Sequence, residues 1–175
     1  MGLMEADSGY VRLFGKNLNE VREKVSYVPQ RESVDWQFPV SVREVVEMGR
    51  YRPKNLMKRL GAQDHDLVDQ ALEKVGMLEY AQRQIGQLSG GQQQRVAVGR
   101  AIVSKPELIL ADEPTGNLDS AQGNDIMEMI ARLNDQGTTV VMVTHSPHDA
   151  SYSERIVRLM DGEVSSEKKV LHAPL

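Results

Sequence analysis

Cysteine is absent from this 175-residue chain, which excludes disulfides and thiolate metal sites and favours a reducing compartment. Aromatic residues are scarce, with one Trp, two Phe and five Tyr, so there is little material for a base-stacking platform. A net charge of −4 argues in the same direction: this is not a nucleic-acid-binding domain, and no nucleic-acid partner is expected. The longest apolar runs, "VVMV" and "LILA", are far too short to cross a bilayer and suit buried strands. The opening "MGLMEADSGY" has neither a basic nor an apolar leader region, so no export signal is visible. What is present is the composition of a globular protein, 40% hydrophobic and 26% charged, long enough for one domain with a sizeable core.

No internal repeat, low-complexity segment or linker divides the chain. "YVRLF" and "VSYVP" read as short strands. "SVREVVEMGRY" opens a helix with a capping box, Ser41 with Glu44 three residues on. "DHDLVDQALEKVG" sets Leu67, Val68, Ala71, Leu72 and Val75 on one helical face, with Gly76 as its stop. Another helix runs from Ser89 to about Ser104, and "ELILA" follows as a buried strand. Ile126, Met129, Ile130 and Leu133 mark an amphipathic helix ending near Gly137. "TTVVMVT" is the most β-branched run, and "RIVRLMDGEV" reads as two strands around an Asp-Gly turn. This alternation predicts an α/β fold with a largely parallel sheet and helices on both faces. The basic stretch "RYRPKNLMKR", Arg50 to Arg59, is either a solvated loop or a docking surface for an acidic partner or lipid headgroups.

Three motifs carry chemistry. In "LSGGQQQRVAVGRA", Ser89, Gly90 and Gly91 stand where a helix begins, so backbone N–H groups and the helix dipole can meet an anion. An ordinary Ser-capped helix reads identically on spacing alone. In "LILADEP", an apolar strand delivers Asp112 and Glu113 to the carboxyl edge of the sheet, where α/β proteins bind ligands. An aspartate there can hold Mg²⁺ through its water shell, and the adjacent glutamate can orient or deprotonate a water. Acids decorating a helix start would be the bland alternative, but Pro114 favours a turn. His145, after "TTVVMVT", falls at the same edge, and that shared position is what raises a lone histidine above a structural role.

Together, "LSGGQ", "LILADEPTGNLD" and "VTHS", in this order, resemble the nucleotide-binding subunit of ATP-binding-cassette (ABC) proteins across essentially the whole chain. The resemblance implies a P-loop-NTPase-like sheet with a helical signature subdomain, approximately residues 31–104, inside one partial nucleotide-binding domain, 1–175. It implies ATP and Mg²⁺ as ligands and ATP hydrolysis coupled to transport, metal-ion import foremost. Glu113 becomes the catalytic base and His145 the switch histidine. Asp112 ends the Walker B strand and holds the metal. Gln30, ending "VSYVPQ", is the Q-loop glutamine that senses Mg²⁺ and water. Leu88 to Gln92 are the signature, and Asp119 is the D-loop aspartate. Implied partners are a transmembrane permease and a second ATPase subunit paired head to tail, at the cytoplasmic face of the cell membrane. Residues 25–51 resemble ATPases of manganese, zinc and iron-chelate importers, whereas "LILADEPTGNLDS" and "GTTVVMVTHSP" resemble lipoprotein-release and macrolide-efflux ATPases. Chromosome-maintenance and repair ATPases share a signature motif, but the stretch between Gln30 and Leu88 shows no heptads for their coiled coils.

"GYVRLFGKN", Gly9 to Asn17, tests how far the likeness reaches. A phosphate loop needs G-x-x-x-x-G-K-S/T, because the intervening residues form the anion nest and the hydroxyl meets Mg²⁺. Here one residue too many separates the glycines, β-formers fill the gap, and Asn17 replaces the hydroxyl residue. No other Gly-Lys-Ser/Thr occurs. The segment is expected to be a strand and turn of an antiparallel layer. "MGLMEADSG" resembles the end of the helix that follows the family's phosphate loop, so the family's first strands and loop would precede residue 1. The strand carrying that loop would lie between "TTVVMVT" and "RIVRLM". On this reading the chain is an ABC ATPase lacking its phosphate cradle. The alternative is a non-catalytic half-site partner or an inactive fragment.

Overall fold

The computed structural model describes residues 8–30, 38–51 and 59–170. The readings of "MGLMEADSG" as a helix end and of most of "RYRPKNLMKR" as a basic loop therefore concern residues largely outside those described.

A small antiparallel pair comes first, β1 (Arg12–Leu13) and β2 (Lys16–Asn17), followed by a single turn of helix, α1 (Leu18–Val21). "YVRLF" thus yields a shorter strand than its β-formers suggest, because Phe14 and Gly15 both take positive φ and turn the chain back. β3 (Val25–Val28), β4 (Leu108–Asp112) and β5 (Thr139–Val143) form a parallel sheet in the order β3-β4-β5. β6 (Arg155–Met160) and β7 (Glu163–Lys169) form a separate hairpin whose turn, Asp161 and Gly162, takes positive φ at both residues.

The helices start where their side chains dictate. α2 (Val42–Met48) is opened by Ser41, whose Oγ accepts from Glu44 N–H while the Glu44 carboxylate accepts from Ser41 N–H. α3 (Ala62–Lys74) stops before Gly76, which takes φ +67. α4 (Gly90–Ile102) repeats the capping box with Ser89 and Gln92. α5 (Ser120–Asp135) is capped by Asp119, whose carboxylate accepts from Gln122 N–H at 2.8 Å. α6 (Pro147–Ala150) is a single turn after β5.

The main core lies between α2, α3, α4 and one face of the sheet. Val42, Val46, Val68, Leu72, Val75 and Val96 are fully excluded from water, and Val28, Ile109 and Ala111 join them from β3 and β4. Strand alternation puts Ser26 and Val28, Ile109 and Ala111, and Val140 and Met142 on that face. The opposite face carries Leu108, which is buried, Leu110, which is half-buried, and Tyr27, Val141 and Val143, which are exposed.

Here one expectation is corrected. "VVMV" does not form a buried strand: Val141 is 51% and Val143 58% exposed. β5 pairs only with β4 among the described residues, and β6 pairs only with β7. Hydrophobicity alone could not bury β5, since burial needs a neighbour on its second edge and a layer over its exposed face. The unpaired β5 edge is a row of free backbone groups flanked by valines, the pattern that promotes strand addition.

The α2–α4 crossing depends on Gly49. A Cβ there would lie 2.2 Å from the Arg100 carbonyl oxygen and 2.6 Å from Val103 Cγ1. Its φ of −68° is one that alanine adopts freely, so helix propensity favours Gly49→Ala while packing opposes it. Packing wins, because one contact is with backbone that cannot rotate away. Gly49→Ala should destabilise the fold by about 1–3 kcal/mol, read as a lowered urea midpoint. An unchanged midpoint would show that the two helices are not in this close contact.

Candidate functional site

The parallel register brings the carboxyl ends of β4 and β5 level, with Asp112 opposite Val143. Glu113 follows immediately and His145 comes two residues after Val143. Glu113 N–H donates to the Val143 carbonyl at 2.9 Å, continuing the ladder one step beyond the sheet. His145 Nε2 then lies 3.0 Å from Glu113 Oε1. From β3, Gln30 Nε2 donates to Glu113 Oε2 at 3.3 Å. One carboxylate is thus held by two side chains arriving from the two flanking strands. The imidazole is 90% exposed while the carboxylate is 27% exposed, so the histidine has little packing of its own.

Glu113 also takes φ +43, a left-handed conformation that a side-chain-bearing residue adopts at a cost. The turn after it closes when Gly116 N–H donates to the Glu113 carbonyl at 3.0 Å. Pro114 therefore ends β4 in a turn, and that turn aims the carboxylate across the sheet edge.

Asp112 accepts a hydrogen bond at 2.9 Å from the Tyr27 hydroxyl. Burial, and then the adjacent Asp112 carboxylate, hold the Tyr27 phenol above its ordinary pKa, so at neutral pH it remains a donor. Reading motifs alone missed Tyr27. The available signal was strand alternation, since Tyr27 pairs with Leu110 and so shares a face with Asp112. Gln94, only 1% exposed on α4, donates to the Pro29 carbonyl at 3.4 Å and anchors the backbone just before Gln30.

The remaining sequence-picked residues lie elsewhere. Ser89, Gly90, Gly91 and Gln92 form the first turn of α4, where Ser89 and Gln92 satisfy each other. A Cβ on Gly91 would lie 2.5 Å from Gln122 Oε1, so this turn packs on the start of α5. Asp119 serves as the α5 cap.

Among the described residues no three acids or histidines are arranged so that they could hold a metal ion by themselves. The donors at the edge, one aspartate and one carboxamide, suit Mg²⁺, which takes few protein ligands and fills its shell with water and phosphate oxygens. Among the described residues no helix is long and apolar enough to cross a membrane.

A three-stranded parallel sheet with helical cover thus carries Gln30, Asp112, Glu113 and His145 at its carboxyl edge. The sequence profile of the ABC transporter family matches residues 1–116. The chain belongs to that family. It is 44% identical to the manganese transport system ATP-binding protein MntB of Halalkalibacterium halodurans over 142 residues, covering 81% of this chain and 57% of that protein. It is 40% identical to MntB of Listeria innocua over 176 residues, covering 100% of this chain and 71% of the relative. The zinc transport system ATP-binding protein TroB of Treponema pallidum is also 40% identical, with coverages of 99% and 65%. The chain therefore spans little more than half the length of the first of these relatives. Among solved structures, the dimeric ATP-binding cassette MJ0796 bound to ADP and Pi superposes with a TM-score of 0.71 at 36% identity, covering 89% of this chain and 67% of that one. The cbiO1 protein of Clostridium perfringens shares the fold, with a TM-score of 0.81 at 23% identity, over 96% and 68% of the two chains.

Proposed function

We propose that this chain is the hydrolytic part of the ATP-binding subunit of an ABC transporter that energises metal-ion import, with manganese as the first cargo to test. Glu113 acts as the base that takes a proton from the attacking water, and His145 and Gln30 hold its carboxylate in place. Asp112 would hold Mg²⁺, which would supply charge neutralisation at the phosphates, and Tyr27 keeps that carboxylate oriented. Ser89, Gly90, Gly91 and Gln92, with Asp119, meet nucleotide across a head-to-tail dimer. The subunit works against a transmembrane permease, peripheral on the cytoplasmic face of the membrane. The approximate helical subdomain, residues 31–104, carries α2, α3 and α4 and would present the signature to the partner.

The observation that carries this reading is the grip on Glu113: His145 Nε2 at 3.0 Å from one oxygen and Gln30 Nε2 at 3.3 Å from the other. The names of the relatives support metal as cargo. To test it, the chain is joined behind the phosphate-loop segment of the Listeria innocua MntB and assembled with that system's permease. Mg²⁺-dependent ATP hydrolysis with uptake of labelled manganese is expected. Uptake of zinc in place of manganese would reassign the cargo, and no hydrolysis would overturn the proposal.

A second reading, a half-site partner that lends its signature to another subunit's ATP, is supported by one observation: the signature turn, Leu88 to Gln92, is complete in this chain. ATP-dependent capture of this chain by an intact family subunit would support that role.

A further inference from the structure

Asp149 is a carboxylate that the proposed chemistry does not use. It is only 5% exposed, and no cation pairs with it among the described residues. Burying a carboxylate is costly unless hydrogen bonds compensate, so an apolar residue would suit the fold better at this position. Its carboxylate accepts from the Thr115 hydroxyl. Thr115 lies in the turn that begins at Glu113, and Asp149 lies on α6, in the turn that begins after His145. The two loops come from different strands and are far apart in sequence.

The backbone on each side is tied to this contact. Ser146 N–H donates to Thr144 Oγ1 at 3.0 Å, and Asp149 N–H donates to Ser146 Oγ at 3.2 Å, so α6 and the residues around His145 move as one piece. In the other loop, Gly116 N–H donates to the Glu113 carbonyl at 3.0 Å and Leu118 N–H to the Thr115 carbonyl at 3.1 Å. A cleft of about 370 Å³ opens beside the contact, lined by Thr115, Asp119, Asn124, Ser146 and Asp149 among others, and across it α6 is also tied to α5 by His148 Nε2 and Asn124 Oδ1 at 2.8 Å, so between the two loops the Thr115–Asp149 contact is the side-chain tie nearest the His145–Glu113 pair. The His145 side chain is itself 90% exposed. With so little packing around the imidazole, the distance between the loops sets the distance between His145 and Glu113.

We propose that Asp149 is a positioning residue, which through Thr115 locks the loop carrying His145 to the loop carrying Glu113 and so holds the pair in contact. The proposal rests on reading Glu113 and His145 as the hydrolytic pair.

The test is carried out on this chain with labelled histidine, of which there are four. The NMR signal of the His145 ring is followed when Glu113→Gln is introduced, first in the parent and then beside Thr115→Val, which removes the hydroxyl and keeps the shape. In the parent, Glu113→Gln should displace the His145 signal. Beside Thr115→Val the displacement should be abolished, and beside Thr115→Ser, which restores the donor, it should return. Asp149→Val should behave as Thr115→Val does, and it replaces that variant if the latter does not fold. A displacement as large beside Thr115→Val as in the parent would overturn the positioning role while leaving the pair intact. No displacement in the parent would show that Glu113 and His145 do not meet, and would remove both the pair and the proposal built on it.

Discussion

On its own, this chain should bind Mg-ATP only at millimolar concentrations or weaker. On the proposed reading the edge built by Gln30, Asp112, Glu113 and His145 meets a metal, a water and the terminal phosphate, but none of these four residues cradles the phosphate chain. Gln30 is an uncharged carboxamide, and the two carboxylates, Asp112 and Glu113, repel an unscreened triphosphate. The cradle in phosphate-loop proteins is a nest of backbone N–H groups with a lysine, and the sequence holds no G-x-x-x-x-G-K-S/T. Charge-assisted hydrogen bonds of that kind contribute roughly 1.5–3 kcal/mol each. Two or more of them account for the ~4 kcal/mol that separates a micromolar site from a millimolar one. Titration calorimetry on the chain without partners measures this directly. A micromolar dissociation constant would mean that other residues hold the phosphate, with the first turn of α4 the first place to look.

In the chain joined to a relative's phosphate-loop segment, Glu113→Gln should lower ATP turnover by roughly 10²–10⁴-fold, the usual range for loss of general-base help. Glutamine preserves the length and shape of the side chain and can still hydrogen-bond a water, but it cannot accept the proton. The substitution leaves phosphate contacts untouched, so affinity should stay close to that of the parent. The effect therefore falls on kcat and not on binding. The geometry makes the expectation specific to Glu113, since both Gln30 and His145 converge on its carboxylate, whereas Asp112 is engaged by Tyr27.

Local chemistry was readable from the sequence wherever a short segment decides its own structure. The capping box at Ser41 with Glu44, the helix start at Ser89, the Gly76 stop and the Asp161-Gly162 hairpin all form as their residues require. The gathering of Gln30, Asp112, Glu113 and His145 was readable too, because strand ends in a parallel sheet share an edge. Features that depend on distant neighbours were not. β5 has the residues of a buried strand, yet its burial depends on what stands beside it and over its face. Tyr27 to Asp112 and Thr115 to Asp149 join residues that only the register of three strands brings together. The positive φ of Glu113 likewise reflects a turn imposed between β4 and the α5 cap, a strain that no motif announces.

The most direct test of the central claim, that Glu113 is the hydrolytic base at an otherwise intact edge, is the oligomeric state of the joined Glu113→Gln chain with Mg-ATP on a sizing column. Because this variant should bind ATP without consuming it, two chains should stay locked around the nucleotide, giving a dimer that appears with ATP and disappears when ATP is removed. A joined Glu113→Gln chain that remains monomeric in ATP while hydrolysing it at near-parent rates would show that the proton is taken elsewhere, and that this carboxylate is not the base.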